Sequence, residues 1–499
     1  MRGLSFFAVL WVVMLQGVGA AERDSAYVDR YSLWRGTSDM ALGNPAFMTR
    51  AYMKSDTQLG VRCDYRHQSD AFCLEDGTGM VLPGVFANTY IRLTKSSVVW
   101  GEASYGNGKH WDRVYNNVAD FDLLYPYVIA DSVGGDTHRE SYFFSGGYAA
   151  ERGRWQMGGV LKLRAEQEYR TYDPRMRSVV YDVSLTAGAA VAVGGYRLGL
   201  SAEGNIYRQT ADVDFYSELN GMGELQMTGL GTDYVRFSGS NRDIFYKGKG
   251  GALAFDLQPS GDRGWLLHLR HGINEYVRLL DEYNKMPLTT LYRQQTALTV
   301  GWRGVSRGRE KALSVHVVYD RRAGDEHVVG SASGQEYPVL TDLTMYHEHK
   351  LDVGATAYYG WGDWHMAMRA GYQSKRERYE YVERRMDYGR LYGELTAQWL
   401  RRVRKDLCLN VYGKGGYEGK ISDGIVMPYA NMAPSIRDYI NHDYRYQMAS
   451  YAHVDVGIRA DFRPVKWRVG LFGQVATAWK FCTVGEHEAN VRAALGVVF

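Results

Sequence analysis

The amino-acid sequence predicts an all-β protein, namely a transmembrane, antiparallel, up-and-down β-barrel of about 18 strands, with a range of about 14–18 compatible with the pattern. Three observations lead to this fold class. Apolar and polar residues alternate over long stretches, short links alternate with longer ones, and the two sets of links carry opposite charge. The composition agrees, because 57 Gly and 39 Tyr stand beside only 10 Pro, and proline weakens a sheet since it cannot donate to the ladder.

Alternation identifies the strands. In YAHVDVGIRADF (451–462), every second residue is apolar and those between are mostly polar. Alternation of this length is typical of a strand, although strands of soluble proteins usually have about five or six residues. The predicted strands cover 55–67, 85–94, 97–107, 140–150, 155–170, 178–193, 196–209, 243–258, 264–276, 290–302, 312–321, 349–360, 364–377, 388–400, 407–417, 448–462, 466–481 and 488–499. A soluble β-sandwich or propeller remains the alternative, but it would not need faces this long, and no propeller-like repeat is visible.

The links give the topology. Short links such as ERGR (151–154), GG (194–195) and WGD (361–363) alternate with longer ones such as 108–139 and 322–348. Lys and Arg dominate the short links, and Asp and Glu dominate the longer ones. We therefore predict tight periplasmic turns at one rim, long extracellular loops at the other, and both chain ends at the tight-turn rim.

Two tryptophans mark the predicted membrane boundaries. Trp467 and Trp479 lie at opposite ends of the apolar face of segment 466–481, twelve residues apart. A tilted strand of this length rises roughly 30 Å, close to the apolar band of an outer-membrane barrel and its aromatic girdles. We therefore expect both side chains to contact the membrane interfaces.

The N-terminal segments predict export. Residues 1–20 combine Arg2, an apolar stretch and small residues, which is typical of a secretory signal peptide; an N-terminal anchor helix is the alternative. Residues 21–50 are expected to form a periplasmic segment or a lumen plug, and residues 51–499 the barrel. The expected location is the outer membrane of a Gram-negative bacterium. The expected partners are outer-membrane lipid and lipopolysaccharide, with a small-molecule solute as a further candidate and no nucleic acid.

Charged residues on the polar faces are the candidate lumen-lining set. They are Arg62, Asp64, Arg164, Glu166, Glu168, Arg197, Glu203, His453, Asp455, Arg459 and Arg468. Charges of both signs inside a barrel can select solutes or can pair with one another and stiffen the wall. In the N-terminal segment, Trp34, Asn44 and Pro45 are the candidate plug residues.

No sequence motif indicates catalysis. The chain has no GxSxG, HExxH or phosphate-binding loop, so we expect no enzyme, no cofactor and no metal site. His347 and His349 share one strand face from which Glu348 points away, and Asp112, Asp120 and Asp122 match no calcium motif. The four cysteines are too scattered for a zinc site.

Three stretches resemble a known but uncharacterised family. FFSGGYAAERGRW (143–155), YRTYDPRMRS (169–178) and TGLGTDYVRFSG (228–239) are similar to an outer-membrane barrel family of Bacteroidota, a domain of unknown function. Met176 stands where that family usually has a second proline. The resemblance implies an outer-membrane address and a barrel, and it implies no substrate.

Shorter resemblances concern the two ends of the chain. Gly43-Asn44-Pro45-Ala46 resembles an element of long-chain fatty-acid outer-membrane transporters, in which the N-terminal segment folds into the barrel as a hatch; an ordinary periplasmic tail is the alternative. The last strand ends in Phe499 and resembles the signal read by the barrel assembly machinery, which implies that machinery as a partner. From these features we expect a channel or transporter for small molecules. The alternative is a barrel that carries acidic extracellular loops as an interaction surface.

Overall fold

A computed structural model describes residues 30–216, 224–234, 243–281, 284–333, 337–428, 432–464 and 469–499. Its strands are β1 (Asp56–Gln68), β2 (Gly79–Arg92), β3 (Ser97–Arg113), β4 (Ile129–Ala130), β5 (Gly135–Arg152), β6 (Trp155–Tyr169), β7 (Arg175–Val193), β8 (Tyr196–Asp214), β9 (Leu225–Gly229), β10 (Thr232–Asp233), β11 (Ile244–Pro259), β12 (Gly264–Leu280), β13 (Met286–Ser306), β14 (Arg309–Val329), β15 (Val339–Trp361), β16 (Trp364–Tyr379), β17 (Arg384–Arg404), β18 (Leu407–Val426), β19 (Tyr451–Phe462), β20 (Gly470–Cys482) and β21 (His487–Val498). The helices are α1 (Leu33–Gly36), α2 (Phe121–Leu124) and α3 (Pro434–Gln447), with 3-10 turns at Asp39–Gly43, Pro45–Arg50, Leu74–Asp76 and Tyr381–Glu383.

Eighteen of these strands form one closed antiparallel sheet. Each wall strand pairs with its neighbours along the chain, and β1 closes the cylinder by pairing with both β2 and β21. Of the strands in the described residues, β4, β9 and β10 lie outside the wall, in a small separate sheet. The predicted fold class, strand number and up-and-down topology are confirmed.

The rims differ as the link lengths predict. The tight-turn rim includes two-residue turns such as Gly194-Gly195, whose φ values are +55° and +87°. Positive φ at both turn positions matches the twist of the strands that it joins, and glycine adopts it at low cost. The long-loop rim carries the inserted segments described below.

Several strands extend beyond their predicted ends at the long-loop rim. The predicted strand 312–321 is β14, which continues to Val329, and the predicted strand 349–360 is β15, which already begins at Val339. The link between them is therefore short, whereas the sequence predicted a long loop over 322–348. Residues 322–329 and 339–348 contain many polar residues on both faces. Past the apolar belt, a strand pair no longer needs one apolar face, and the alternation that marks it in the sequence therefore fades.

The outer face of the wall is apolar, as a transmembrane barrel requires. On β20, Leu471, Val475 and Trp479 are all exposed on this face. The assignment of Trp479 to an aromatic girdle stays a prediction. Trp467, the other predicted girdle residue, lies outside the described residues, as does Arg468. Within the described parts of the chain, no helix has both the length and the apolar composition needed to cross a membrane.

A charged side chain should destabilise the barrel more on its lipid-facing side than on its lumen side. Leu185 on β7 is 58% exposed on the outer face, whereas its neighbour Ser184 lies on the lumen face. We expect Leu185→Arg to lower the free energy of unfolding by about 2–4 kcal/mol, the usual cost of an arginine near the membrane midplane. Urea titration in lipid vesicles, followed by tryptophan fluorescence, measures this cost. An equal loss in the control Ser184→Arg would contradict the assignment of faces.

Candidate functional site

The N-terminal segment lies inside the barrel at the tight-turn rim. We call residues 30–52 the N-terminal plug. Asn44 is 1% exposed and its side chain caps the following 3-10 turn, accepting a hydrogen bond from the Ala46 amide at 3.0 Å. A Cβ on Gly188 of the wall would lie 2.0 Å from Asn44 Oδ1, and one on Gly158 would lie 2.6 Å from the Pro45 carbonyl oxygen. The wall therefore has glycines where Asn44 and Pro45 approach most closely.

The start of the N-terminal plug is held by aromatic and amide contacts. The Trp34 ring lies 5.5 Å from the ring of Tyr358, and the Arg303 guanidinium lies 4.0 Å over it. Gln398 of β17 accepts a hydrogen bond from the Leu33 amide at 2.9 Å and donates one to the Tyr31 carbonyl at 2.7 Å. Contacts to several wall strands fix the plug across the lumen.

Three inserted segments close the long-loop rim from within. We call residues 114–134, 224–234 and 432–448 together the loop plug. Their apolar side chains pack with lumen-facing residues of the wall into one large buried core, which includes Leu124, Ile129, Leu230, Ile436 and Ile440. The end of the barrel where long loops were predicted is therefore filled with protein.

Wall arginines bind the loop plug. Arg278 Nη1 donates to the Met227 carbonyl at 3.0 Å, and Arg322 Nη1 donates to the Asp122 carbonyl at 2.7 Å. Arg384 Nη1 donates to the Leu230 carbonyl at 3.1 Å. Arg390 Nη2 donates to the Gln447 carbonyl, and Arg164 forms a bidentate pair with Asp120 at 2.6 and 2.7 Å. Each guanidinium thus donates to backbone or carboxylate oxygens of the loop plug, which is the role its several N–H donors suit.

A cavity of about 490 Å³ lies between the loop plug and the wall, and we call it the luminal chamber. Its wall side consists of Arg293, Arg322, Glu348, Lys350, Lys375, Glu377 and Met386. The opposite side, which we call the plug side, combines the link between β1 and β2 with the loop plug: it consists of Cys73, Glu75 and Asp76 from the link and of Phe121, Asp122, Leu123, Tyr125, Tyr439, Ile440, Asp443 and Gln447 from the loop plug. Most of these residues are polar or charged, so the chamber suits a hydrophilic occupant.

The two sides of the luminal chamber differ in charge. On the wall side, Glu348 is surrounded by cations, with Lys350 at 3.1 Å, Arg322 at 3.3 Å and Lys375 at 3.4 Å. The plug side contributes carboxylates and no lysine or arginine among its described residues. A solute in the chamber would therefore meet a basic surface on one side and an acidic surface on the other.

Burial raises the pKa values of two groups on the plug side of the chamber. Burial, together with the nearby carboxylate of Asp443, raises the pKa of Glu75 well above its usual range. Burial and the charge of Glu75 likewise raise the pKa of the Cys73 thiol. Groups that are hard to ionise together in this way are typical of functional sites.

A second cavity, of about 540 Å³, lies next to the N-terminal plug. Its lining includes Leu33 and Thr37 from the plug and His316 and Tyr358 from the wall. Asp352 lies between the two cavities along β15 and accepts hydrogen bonds from Tyr392 and Arg369 at 2.7 and 3.2 Å. A polar layer on the wall thus lies between these two cavities.

The predicted lumen residues form ion pairs and hydrogen bonds inside the barrel, and they do not form one site. Distances between partners are 3.8 Å for Arg62–Asp64, 2.7 Å for Glu166–Arg139, 3.1 Å for Glu203–Arg270, 3.3 Å for His453–Glu394, 3.3 Å for Asp455–Tyr412 and 2.8 Å for Arg459–Asp461. Arg164 contacts Asp120, Glu168 contacts Arg113, and Arg197 lines a small cavity beside Arg50 of the N-terminal plug. Mixed charge along the lumen is thus largely used to hold the wall and the inserted segments.

The chamber residues were missed because no local pattern brings them together. Cys73 and Glu75 lie in the link between β1 and β2, Asp443 lies in α3, and the cations lie on β13 to β16. Helix α3 does carry a sequence signal, since Pro434 precedes Ile436, Ile440 and Asp443 at helical spacing. His347 pairs with Glu380 at 3.7 Å, whereas the neighbouring Glu348 lines the luminal chamber. His347 and Glu348 therefore do not share a site.

The wall glycine closest to Asn44 allows a direct test of where the N-terminal plug lies. We expect Gly188→Val to displace the N-terminal plug, because its Cβ would overlap Asn44 Oδ1. Limited proteolysis within residues 30–50 should accelerate by about tenfold or more, which corresponds to a loss of about 1.4 kcal/mol of docking energy. The control Gly204→Val has no atom within 4 Å of the added Cβ and should leave proteolysis unchanged. Equal rates of proteolysis in the two variants would contradict the described contact between the N-terminal plug and Gly188.

Comparisons with known proteins extend the description. The model of the Family of unknown function (DUF6850) matches residues 45–499. No curated protein matches the chain.

Several solved structures are similar to the chain at low identity. The ferric preacinetobactin receptor BauA from Acinetobacter baumannii is 10% identical, with a TM-score of 0.41 and coverage of 88% of this chain and 80% of that one. The outer membrane transporter YddB from Escherichia coli is 8% identical, with a TM-score of 0.38 and coverage of 88% and 80%. OccAB2 from Acinetobacter baumannii is 10% identical, with a TM-score of 0.34 and coverage of 89% and 98%.

The family match bears on the predicted resemblance. The prediction of an uncharacterised family is confirmed, whereas the bacterial phylum and the likeness to fatty-acid transporters stay predictions. Since the match spans nearly the whole described barrel, the chain belongs to the Family of unknown function (DUF6850).

Proposed function

We propose that this chain is an outer-membrane transporter for small charged or zwitterionic solutes, closed at rest by its two plugs. The observation that carries the proposal is the luminal chamber, whose walls come partly from the barrel and partly from the loop plug. Its volume of about 490 Å³ falls within the roughly 300–1,000 Å³ of typical small-molecule sites. A chamber shared by the wall and a removable segment can change its access when that segment moves.

The proposed orientation follows from topology. In outer-membrane barrels, tight turns face the periplasm and long loops face the exterior. The loop plug is then the outer closure, and the N-terminal plug is the periplasmic one. Solute would enter the luminal chamber past α3 and leave past residues 30–52.

The charge distribution supports the solute class. Wall cations face plug carboxylates across the chamber, so a molecule with both an anionic and a cationic group can contact both sides. A neutral sugar that displaced water from the charged groups would offer them no opposite charge in place of the hydration they lose. We therefore expect charged and zwitterionic solutes to bind in preference to neutral ones.

A ligand panel tests this proposal. Equal concentrations of amino acids, dicarboxylates and neutral sugars are compared by thermal unfolding of the folded protein in detergent. A bound solute at 100 times its Kd stabilises by about 2.7 kcal/mol, so an active class should raise Tm. The effect should be lost in Lys350→Met, which alters the chamber wall. It should persist in Lys249→Met, whose side chain is 74% exposed.

A surface interaction barrel is the second candidate. The observation that favours it is the packed core of the loop plug, which makes a firm platform at the long-loop rim. Helix α3 presents Ser435, Arg437 and Asp438 on its exposed side. If no solute class changes Tm in protein shown to be folded, transport loses its support and the interaction barrel becomes the better explanation.

A further inference from the structure

Three potential metal ligands meet at the plug side of the luminal chamber. They are the Cys73 thiol, the Glu75 carboxylate and the Asp443 carboxylate, and one donor atom from each lies within 4.8 Å of the others. They come from two distant segments, the link between β1 and β2 and helix α3. Folding of the barrel has therefore brought the Asp443 carboxylate to a thiol and a carboxylate that lie some 370 positions earlier in the sequence.

Glu75 has an unsatisfied oxygen at this point. Its side chain is 8% exposed, Oε2 is buried and receives no hydrogen bond from an N–H or hydroxyl donor, and the neighbouring side chain is a second carboxyl group, that of Asp443. Buried carboxylate oxygens are normally paired, so an orphan of this kind calls for an explanation. Its position among other donors, on the wall of a polar chamber, points to a ligand that the oxygen would bind.

The surrounding contacts hold the donors in place. Asp443 is 4% exposed, and its Oδ1 accepts the Leu74 amide at 3.2 Å and lies 3.2 Å from His442 Nδ1. The Glu75 carbonyl accepts hydrogen bonds from Arg113 Nε and Asn116 Nδ2, each at 3.0 Å. Such outer contacts orient the ligands of metal sites and are commonly as important as the ligands themselves.

Further carboxyl groups surround the three donors. Asp76 and Asp122 also line the chamber beside these donors. Among the described residues, no lysine or arginine forms an ion pair with Glu75 or Asp443, although His442 lies beside Asp443. Burying carboxylates without cations is costly, and a bound cation would remove that cost.

We propose that Cys73, Glu75 and Asp443 bind a divalent transition-metal ion of the Zn²⁺ class. Thiolate donors disfavour Mg²⁺ and Ca²⁺, which take oxygen ligands, whereas Zn²⁺ accepts both sulfur and carboxylate oxygen. Zn²⁺ bonds of about 2.0–2.3 Å require only small side-chain adjustments from the observed spacing. Three protein ligands leave a fourth position open toward the chamber.

The site would also fasten the loop plug. An ion there joins α3 to the link between β1 and β2, so its loss would loosen the cover of the chamber. This inference does not depend on transport, because a barrel that serves as an interaction platform would use the same bridge.

Zinc binding by the full-length protein tests the proposal. The folded protein in detergent is treated with chelator and reductant, freed of both, and titrated with Zn²⁺ by calorimetry and elemental analysis. We expect one Zn²⁺ per chain, and a loss of affinity of at least about tenfold in Cys73→Ser and in Glu75→Gln, by comparison with typical effects of altering even the outer contacts of a site. The control Asp438→Asn removes an exposed carboxylate of the same helix and should bind as the unchanged protein does.

Site-resolved alkylation gives a second readout that does not depend on a variant folding. Cys73 and Cys63 are both partly exposed, but only Cys73 belongs to the proposed site. Zn²⁺ should slow alkylation of Cys73 and leave Cys63 unchanged, whereas Ca²⁺ should protect neither. Absence of Zn²⁺ binding, or equal protection of both cysteines, would overturn the proposal and leave Glu75 and Asp443 as a carboxyl pair that shares a proton.

Discussion

Replacing Arg278 by methionine is expected to release the small sheet of the loop plug from the wall. Arg278 is 1% exposed and donates to the carbonyl oxygens of Met227 and Val128 at 3.0 and 3.3 Å. It also contacts the side chain of Gln226. Methionine fills similar space but donates nothing, so the Met227 carbonyl and the Gln226 side-chain oxygen lose the donor that Arg278 provides, whereas the Val128 carbonyl keeps the hydrogen bond from the Met227 amide.

The expected size follows from the cost of unpaired groups. Each orphaned oxygen costs about 1–3 kcal/mol, so the Met227 carbonyl and the Gln226 side-chain oxygen together cost roughly 2–6 kcal/mol. Amide hydrogen exchange should therefore accelerate at least about 30-fold at Met227, whose amide donates to the Val128 carbonyl at 2.9 Å. Mass spectrometry of peptides that cover 125–133 and 224–234 measures this. Arg208→Met alters an exposed arginine of β8 and should have no such effect; unchanged exchange in Arg278→Met would contradict the role of the arginine.

The second large effect is expected at Glu168. This carboxylate is 0% exposed and pairs with Arg113, whose guanidinium also holds the Glu75 carbonyl. Thr137 donates a further hydrogen bond, and His110 lies at 3.3 Å. Glu168→Gln keeps the shape but leaves the buried cation of Arg113 without its anion.

Breaking one side of a buried ion pair costs about 3–5 kcal/mol, and we expect that loss in the free energy of unfolding. The comparison is Glu275→Gln, which breaks a pair with the exposed Lys249 and should cost less than about 1 kcal/mol. Urea titration of both variants in detergent, followed by tryptophan fluorescence, gives the two values. Equal losses would contradict the structural role of the Glu168 pair.

The wall of the barrel could be predicted from sequence because its signal is local. Each strand carries its own alternation, as in Tyr451–Phe462, and each tight turn carries its own glycine or charge pattern. A lipid-facing position must be apolar whatever lies opposite, so period two survives without knowledge of the partner strand. The signal failed only where strands leave the apolar belt, as between Arg322 and Val329.

The contents of the lumen could be predicted only in part. Asn44 and Pro45 were recognisable as turn chemistry, but the glycines that receive them lie more than a hundred positions away on β6 and β7. The luminal chamber depends on loops folding inward, and inward folding is decided by packing against residues such as Arg278 and Tyr346 rather than by local preference. The alternation along each strand could predict which charged residues face the lumen, but it could not predict which of them form ion pairs with one another.

Planar-bilayer conductance tests the central claim, that two plugs in series close the lumen, most directly. Four proteins are compared: the full-length protein, one lacking residues 22–50, one in which each loop-plug segment (114–134, 224–234 and 432–448) is replaced by a short Gly-Ser link, and one with both changes. We predict silence from the full-length protein and from each single change, and stable conductance steps from the combined one. Steps from the full-length protein would contradict closure, and silence from the combined variant in folded form would contradict a continuous path through the barrel.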